Sequence, residues 1–236
     1  MYDRQKKPTA LPIYIQVSEL LIREIAAGRL DDGARLPPER QLAAQHGITV
    51  STLRKSLADL EKKGLLERVQ GSGNYVRSDP QVQSIYSMFR LELIAGGGLP
   101  TAVFLDIDAR EKPKDLPDFG TSKSGTRIRR LRFLNKIPAA IEEIWLDKHS
   151  GDVDPDEVSD SLYRFYHMKL GFWISRATDM VSVAEVPAWA PPEFGEAPGT
   201  KTGFIERFSW AQAATPVEYS RTWFDPKIAH YVQRLK

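Results

Sequence analysis

The sequence predicts an α+β chain of two domains, a helical N-terminal part closed by a short hairpin and a C-terminal antiparallel sheet with helices on one side. Three observations carry this. Between Leu36 and Val76, two apolar-periodic segments separated by a glycine turn are followed by a pair of short strand-like runs around Gln70-Gly71-Ser72-Gly73. Beyond residue 100, six segments (102–109, 127–133, 139–147, 173–186, 202–211 and 217–224) alternate apolar with polar residues or are rich in β-branched and aromatic ones. Between the two parts lies Arg77-Ser78-Asp79-Pro80-Gln81, polar and broken by proline, which reads as a linker.

A first helix is expected over 11–27, with Ile13, Val17, Leu20 or Leu21 and Ile25 on one face and Gly28 as its stop. Tyr14 on this helix reads as core filler. Pro38 opens the next helix, because its missing N–H costs nothing in a first turn and its φ is already helical. That helix runs to His46, buries Leu42 and Ala43, and ends at Gly47. Thr49 or Ser51 caps a third helix whose buried face is Leu53, Leu57 and Leu60. Its opposite face carries Ser51, Thr52, Lys55 and Asp59, with Arg54 beside them, and Gly64 ends it. A helix of roughly thirteen residues is about 20 Å long, enough to lie in a DNA major groove. The hairpin 65–76 then forms a wing, whose tip glycines let the backbone approach phosphate or a minor groove. Helix, helix, helix, hairpin is the order of a winged helix-turn-helix. The same geometry also serves plain packing, so the exposed basic face and the wing carry the nucleic-acid reading.

Composition sets outer limits. The chain has 236 residues, a formal charge of +2 and no cysteine, which excludes a disulfide framework or thiolate metal site and suits a reducing cytoplasm. No apolar run approaches the roughly eighteen residues of a membrane span, and the first ten residues are polar, unlike a signal peptide. Charge divides unevenly: residues 1–78 carry thirteen Lys or Arg against nine Asp or Glu, the remainder 20 against 22. The positive end is the helix-turn-helix end.

From Leu11 to Val76 the sequence resembles the DNA-binding domain of the GntR family of bacterial transcription regulators. The resemblance rests on Ile13-Tyr14, Gly33-x-Arg35-Leu36-Pro37-Pro38-Glu39-Arg40, Leu42-Ala43, Gly47, Leu53-Arg54, Leu57, Leu60, Gly64-Leu65 and Gly71-x-Gly73-x-Tyr75-Val76. It implies that Arg40 and Arg54 touch phosphates or bases, that Thr49, Ser51 and Thr52 hydrogen-bond phosphates, and that the wing at Gly71, Ser72 and Gly73 enters the minor groove. Arg35, Val50 and Lys55 complete the expected DNA-contacting set. Val50 departs from the family, where an arginine that reads guanine is common after the threonine. Valine offers only apolar contact with a thymine methyl, where a bidentate arginine is worth roughly 1–3 kcal/mol of base discrimination.

In the second part, helices are expected over 84–95, 155–170 and 227–235, with hairpin tips at Asn135-Lys136 and 212–215. Gly96-Gly97-Gly98 reads as a turn; a phosphate cradle would need a strand before it and a helix after it. On the strand 127–133, Arg130 and Arg132 share one face while Arg127 and Arg129 share the other. Paired arginines either bind an oxyanion or sit in salt bridges with Glu142 or Glu143. From Ser84 to Tyr231 the chain resembles the UTRA effector-binding domain of HutC-type GntR regulators, whose fold is similar to chorismate lyase. The residues carrying this are Arg130-x-Arg132-Phe133, Pro138-x-x-x-Glu142, Ser161-Leu162-Tyr163, Ile205-Glu206-Arg207 and Pro216-Val217-Glu218-Tyr219-Ser220. The resemblance implies that Arg130 and Arg132 grip an anionic group, that Ser161 and Tyr163 hydrogen-bond it, and that Glu142 and Glu218 take its hydroxyls or amine. Phe224 stands where a hydrogen-bonding tyrosine is common.

The histidines 46, 149, 167 and 230 have no metal or triad spacing, and no serine elbow is present, so no enzyme activity, metal or cofactor is expected. The domains are expected at 8–77 and 84–236 with a linker over 78–83. The expected partners are a double-stranded DNA operator, a second copy of the chain, and a small anionic effector such as a sugar phosphate, amino-sugar phosphate or carboxylate. No membrane partner is expected. The function so read is that of a cytoplasmic repressor released from a palindromic operator by that effector. The rival is an architectural DNA-binding protein whose second domain only dimerises, and footprints would separate the two.

Overall fold

A computed structural model of the chain describes residues 11–79, 82, 84–158 and 161–234. These divide into two compact units, residues 11–90 with 232–234, and residues 91–231.

The first unit begins with helix α1 (Ile13–Ala26), which buries Val17, Leu20, Leu21, Ile22 and Ile25. Ile13, expected on that face, is 53% exposed, because the first residue of the helix lies beyond the reach of its neighbours. Helix α2 (Glu39–Gln45) follows Pro38 and buries Leu42 and Ala43. Helix α3 (Val50–Lys62) buries Leu53, Leu57 and Leu60 against α1 and α2. Asp59 is not part of the solvated face. It accepts from Ser18 Oγ of α1 at 2.5 Å and pairs with Lys63 at 2.8 Å, while Lys63 also donates to Glu19. Burial lowers the Lys63 pKa, but these carboxylates outweigh it and hold the ammonium above its usual value. Strands β1 (Leu66–Val69) and β2 (Gly73–Val76) form the wing hairpin. A third segment flanks β2: Leu36 N donates to Asn74 O and Val76 N to Ala34 O, each at 2.9 Å.

The unit runs on past the expected linker, of which residues 80, 81 and 83 lie outside those described. Ser84 Oγ donates to Glu19 O at 2.8 Å and Ile85 N to Glu19 Oε2 at 2.9 Å, fastening this stretch to α1. The helix expected over 84–95 does not form. Turns occupy its start, and strand β3 (Leu91–Leu93) pairs antiparallel with β10 (Ala229–Tyr231). The helix expected over 227–235 is displaced by the same pairing, residues 235–236 being outside those described. Cross-strand hydrogen bonds overrode the helical spacing in both places.

The second unit is built on a six-stranded antiparallel sheet: β4 (Pro100–Glu111), β5 (Ser124–Leu134), β6 (Ile137–Asp147), β7 (Arg176–Glu185), β8 (Lys201–Trp210) and β9 (Glu218–Phe224). Their order is β4-β5-β6-β9-β8-β7, with β6 and β9 at the centre and largely buried. All six expected strands are present. Asn135 and Lys136 make the β5–β6 turn with φ of +50° and +67°. The helix expected over 155–170 is shortened to α4 (Leu162–Phe165), continued by a π-helical turn (Tyr166–Leu170). Asp154 Oδ1 accepts from Asp156 N at 2.9 Å in a local turn that competes with helix, and Ser161 caps the start. This helical segment packs Leu162, Phe165 and Tyr166 onto Ile128, Ile144 and Leu146, covering one face of the sheet. Val186, Phe194 and Trp189, from the chain between β7 and β8, cover Leu131, Ile141, Phe204 and Trp223 on the other. Among the described residues, no helix is long and apolar enough to cross a membrane.

Candidate nucleic-acid interface and effector site

Thr49 is the cap of α3: its Oγ1 accepts from Thr52 N at 3.1 Å and stands 2.9 Å from the hydroxyls of both Ser51 and Thr52. Three hydroxyls are thus gathered at the positive end of the helix dipole, where phosphate oxygen is favoured. Arg35, Arg40, Ser51, Arg54 and Lys55 are exposed, and Val50 and Thr52 half-buried. Arg54 is held by Glu39 of α2 at 2.7 Å, a surface pair that a nucleic-acid phosphate can displace at small cost. At the wing, Gly71 has φ of +75° with open space around its Cα, and Ser72 shares a hydrogen bond of 2.7 Å with Tyr75 OH. A Cβ on Gly73 would stand 2.9 Å from Arg35 Nε, so the Arg35 guanidinium lies along the wing backbone.

The second site lies on the face of the sheet covered by α4. Register aligns four cross-strand rows on it: Arg132, Ala140, Phe224; Arg130, Glu142, Thr222; Ile128, Ile144, Ser220, Arg207, Asp179; and Thr126, Leu146, Glu218, Ser209. Arg130 Nε donates to Glu142, and Arg132 Nε stands 3.9 Å from the same carboxylate. All three are nearly buried, at 8%, 5% and 8% exposure for Arg130, Arg132 and Glu142.

The pattern of the sequence agrees with this geometry. Residues 13–76 match the model of "Bacterial regulatory proteins, gntR family", and residues 97–229 match the UTRA domain. The chain is 54% identical over 228 residues to the HTH-type transcriptional regulator SmoD of Agrobacterium fabrum, covering 96% of this chain and 97% of that protein. It is 28% identical to the HTH-type transcriptional repressor NagR of Bacillus subtilis, covering 97% and 98%. Its fold is similar to that of the Bacillus subtilis regulator YydK, with TM-score 0.52 at 21% identity over 96% of this chain and 100% of that one.

The chain belongs to the GntR family of bacterial regulatory proteins. As a GntR regulator with a UTRA domain, the HutC arrangement, it is a transcription regulator that binds DNA and takes a small-molecule effector, and its relatives are regulators and not enzymes.

Within this GntR protein's UTRA domain, burial pushes the Glu142 carboxyl up, but the Arg130 and Arg132 guanidinium groups outweigh it and hold Glu142 below the usual carboxylate range. Glu218 goes the other way. Burial raises its pKa more than its hydroxyl and arginine neighbours lower it. It accepts from Tyr166 OH at 2.7 Å, Ser209 Oγ at 2.9 Å and Tyr163 OH at 3.2 Å, so its lone pairs position two tyrosines. Burial, with the Glu218 charge, lifts the Tyr163 and Tyr166 hydroxyls well above the ordinary phenol range, which keeps both as neutral donors. Ser161 accepts from Arg164 N at 3.4 Å as the helix cap, and Phe224 packs its ring on the backbone of Gly203. The sequence reading assigned no role to Arg207, Asp179, Tyr166 or Ser209. Arg207 donates twice to Asp179, at 2.5 and 2.7 Å, and Tyr231 OH donates to Asp179 at 2.7 Å. The signal was there in outline: pairing β8 with β9 through the 212–215 turn puts Arg207 and Ser209 on the face of Glu218.

Proposed function

We propose that this GntR regulator is a homodimeric repressor that leaves a palindromic operator when a small anionic metabolite occupies the site of Arg130, Arg132 and Glu142. The observation that carries the reading is two buried guanidinium groups sharing one carboxylate. The two guanidinium groups outnumber the carboxylate they share, and their N–H forks suit bidentate binding of a phosphate, sulfonate or carboxylate. A neutral part of the same molecule would meet Tyr163, Tyr166, Ser209 and Thr222. Phe224 at the end of the Arg132 row offers an apolar wall there, favouring a ligand whose end near that wall is less polar than in relatives with tyrosine.

DNA contact is assigned to Arg35, Arg40, Thr49, Val50, Ser51, Thr52, Arg54 and Lys55, with Gly71, Ser72 and Gly73 of the wing in the minor groove. Dimerisation through the second unit is supported by β7, an edge strand paired only with β8, whose Met180, Val181 and Val183 are 44%, 51% and 66% exposed. A two-fold dimer suits two half-sites about one helical turn apart. The effector can act only by as much as its affinity differs between the DNA-bound and released geometries. A regulator that acts on an operator in cellular DNA belongs, on this reading, in the cytoplasm. Being named a repressor, NagR supports the sign of regulation.

The test is a thermal-shift screen of small anionic metabolites against wild type and an Arg130→Ala, Arg132→Ala double variant, with footprinting of the DNA upstream of the protein's own gene. A stabilising anion whose effect is lost in the variant, together with a discrete two-fold footprint, supports the reading. A footprint without symmetry, or a shift untouched by the double variant, overturns it.

A further inference from the structure

The face of the sheet opposite Arg130 and Glu142 carries a site of different chemistry. Because side chains alternate along a strand, Arg129 and Glu143, the neighbours of Arg130 and Glu142, point the other way, and register continues their row to Arg221. There they border a cleft of about 320 Å³, within the size range of small-molecule sites. Three of the chain's five tryptophans, Trp145, Trp189 and Trp223, line it.

Charge is compensated within this cleft. Arg129 pairs with Glu143 at 2.7 Å, Arg127 with Asp106 and Asp108 at 2.9 Å each, and Arg221 with Asp115 at 2.9 Å. An incoming anion would have to displace a carboxylate, so the cleft does not favour one. Its spare capacity lies elsewhere. Each guanidinium has five N–H donors and each carboxylate about four acceptor positions, more than these pairs consume. The Arg129 guanidinium lies over the Trp189 ring at 4.6 Å, which fixes both planes. Trp145 Nε1 donates to Glu143 at 3.2 Å, whereas Trp223 Nε1, on a residue 6% exposed, is buried with no acceptor. A buried donor left without an acceptor is destabilising, so a group that supplies an oxygen there is favoured.

We propose that this cleft is a second ligand site, and that it takes a neutral polyhydroxylated ring of the pyranose or cyclitol class. The C–H face of such a ring stacks on an indole, and its vicinal hydroxyls accept from guanidinium while donating to carboxylate. One hydroxyl oxygen serves Trp223 Nε1 after a small adjustment of that ring. The site is independent of the anion site on the other face, since the two share strands but no side chain.

Calorimetric titration of the full chain with three neutral probes, methyl α-D-glucopyranoside, methyl α-D-mannopyranoside and myo-inositol, tests it. At least one probe binds saturably to wild type and to Arg132→Ala with equal affinity. Trp189→Ala weakens that binding by about tenfold or more, and Trp223→Phe, which keeps the ring bulk and removes the N–H, by about three- to tenfold. Circular dichroism of each variant establishes that it is folded. No heat from any of the three probes overturns the proposal, as does equal affinity in folded Trp223→Phe. Binding lost in Arg132→Ala but kept in Trp189→Ala also overturns it, by moving the sugar to the other face.

Discussion

Replacing Glu142 with glutamine keeps the size of the side chain and removes its charge. Two guanidinium groups, at 8% and 5% exposure, then remain buried side by side on β5, and neither can shed its proton. Breaking a buried pair by removing one partner costs about 3–5 kcal/mol. That is a large share of the 5–15 kcal/mol that typically holds a domain folded. Urea unfolding, followed by a probe of the sheet and extrapolated linearly, reads the loss. Added sulfate sharpens the test. As an excluded salt it stabilises any protein to some degree, so the quantity that matters is its effect on Glu142→Gln minus its effect on wild type. If the arginines form an oxyanion site, sulfate replaces the missing charge and the variant recovers about 1–3 kcal/mol more than wild type does. A loss of under about 1 kcal/mol, or equal sulfate increments in both proteins, would refute the reasoning.

Thr49→Ala removes the side-chain cap at the start of α3 and should cost about 1 kcal/mol, seen as a fall of roughly 4–8 °C in the melting of the DNA-binding unit, with weaker operator binding by gel shift. Gly203→Ala would place a Cβ 2.3 Å from the Phe224 ring, and is expected to destabilise the sheet by about 1–3 kcal/mol and to disturb effector affinity together with it. Two carboxyls set opposite pH trends. Asp147 is pushed up by burial but held below its usual 3.8 by hydrogen bonds from Lys112 and Ser122, so its stabilisation is present above 3.8 and is lost as pH falls through the lowered value. Glu218 has a folded pKa raised above 4.5, so its contribution favours the folded state at low pH and is lost as pH rises through the raised value. Lys112→Met should therefore flatten the acid side of a stability profile, and Glu218→Gln the rise of penalty above 4.5. Val50→Arg should restore a guanine at one operator position, worth roughly 1–3 kcal/mol there in a binding-site selection.

Much of the architecture was legible because it rests on local rules. The α2-turn-α3 pair follows from Pro38, Gly47 and the Leu53, Leu57, Leu60 spacing, and the six strands from alternation and turn residues such as Asn135-Lys136. What local rules missed depends on partners distant in sequence. Residues 91–93 and 229–231 read as helix until each meets the other, and Asp59 reads as solvated until Ser18 and Lys63 reach it. The candidate effector site was half visible. Arg130, Arg132 and Glu142 lie on adjacent strands joined by a short turn, so their pairing can be counted out along the chain. Arg207 and Asp179 join them only through the order β6-β9-β8-β7, in which β9 inserts between β6 and β8, and no local period records that order. The opposite fates of Glu142 and Glu218 are likewise set by what surrounds each carboxylate and not by its sequence neighbours.

On the reading proposed above, an anion held by Arg130 and Arg132 changes how the helix-turn-helix holds DNA. The direct measurement is the affinity for the footprinted operator, by fluorescence anisotropy at fixed salt, with and without a saturating amount of the anion that raises the melting temperature. Operator binding is expected to weaken by about tenfold or more when the anion is present, with no change in an Arg130→Ala, Arg132→Ala variant. Equal operator affinity with and without the bound anion would contradict it.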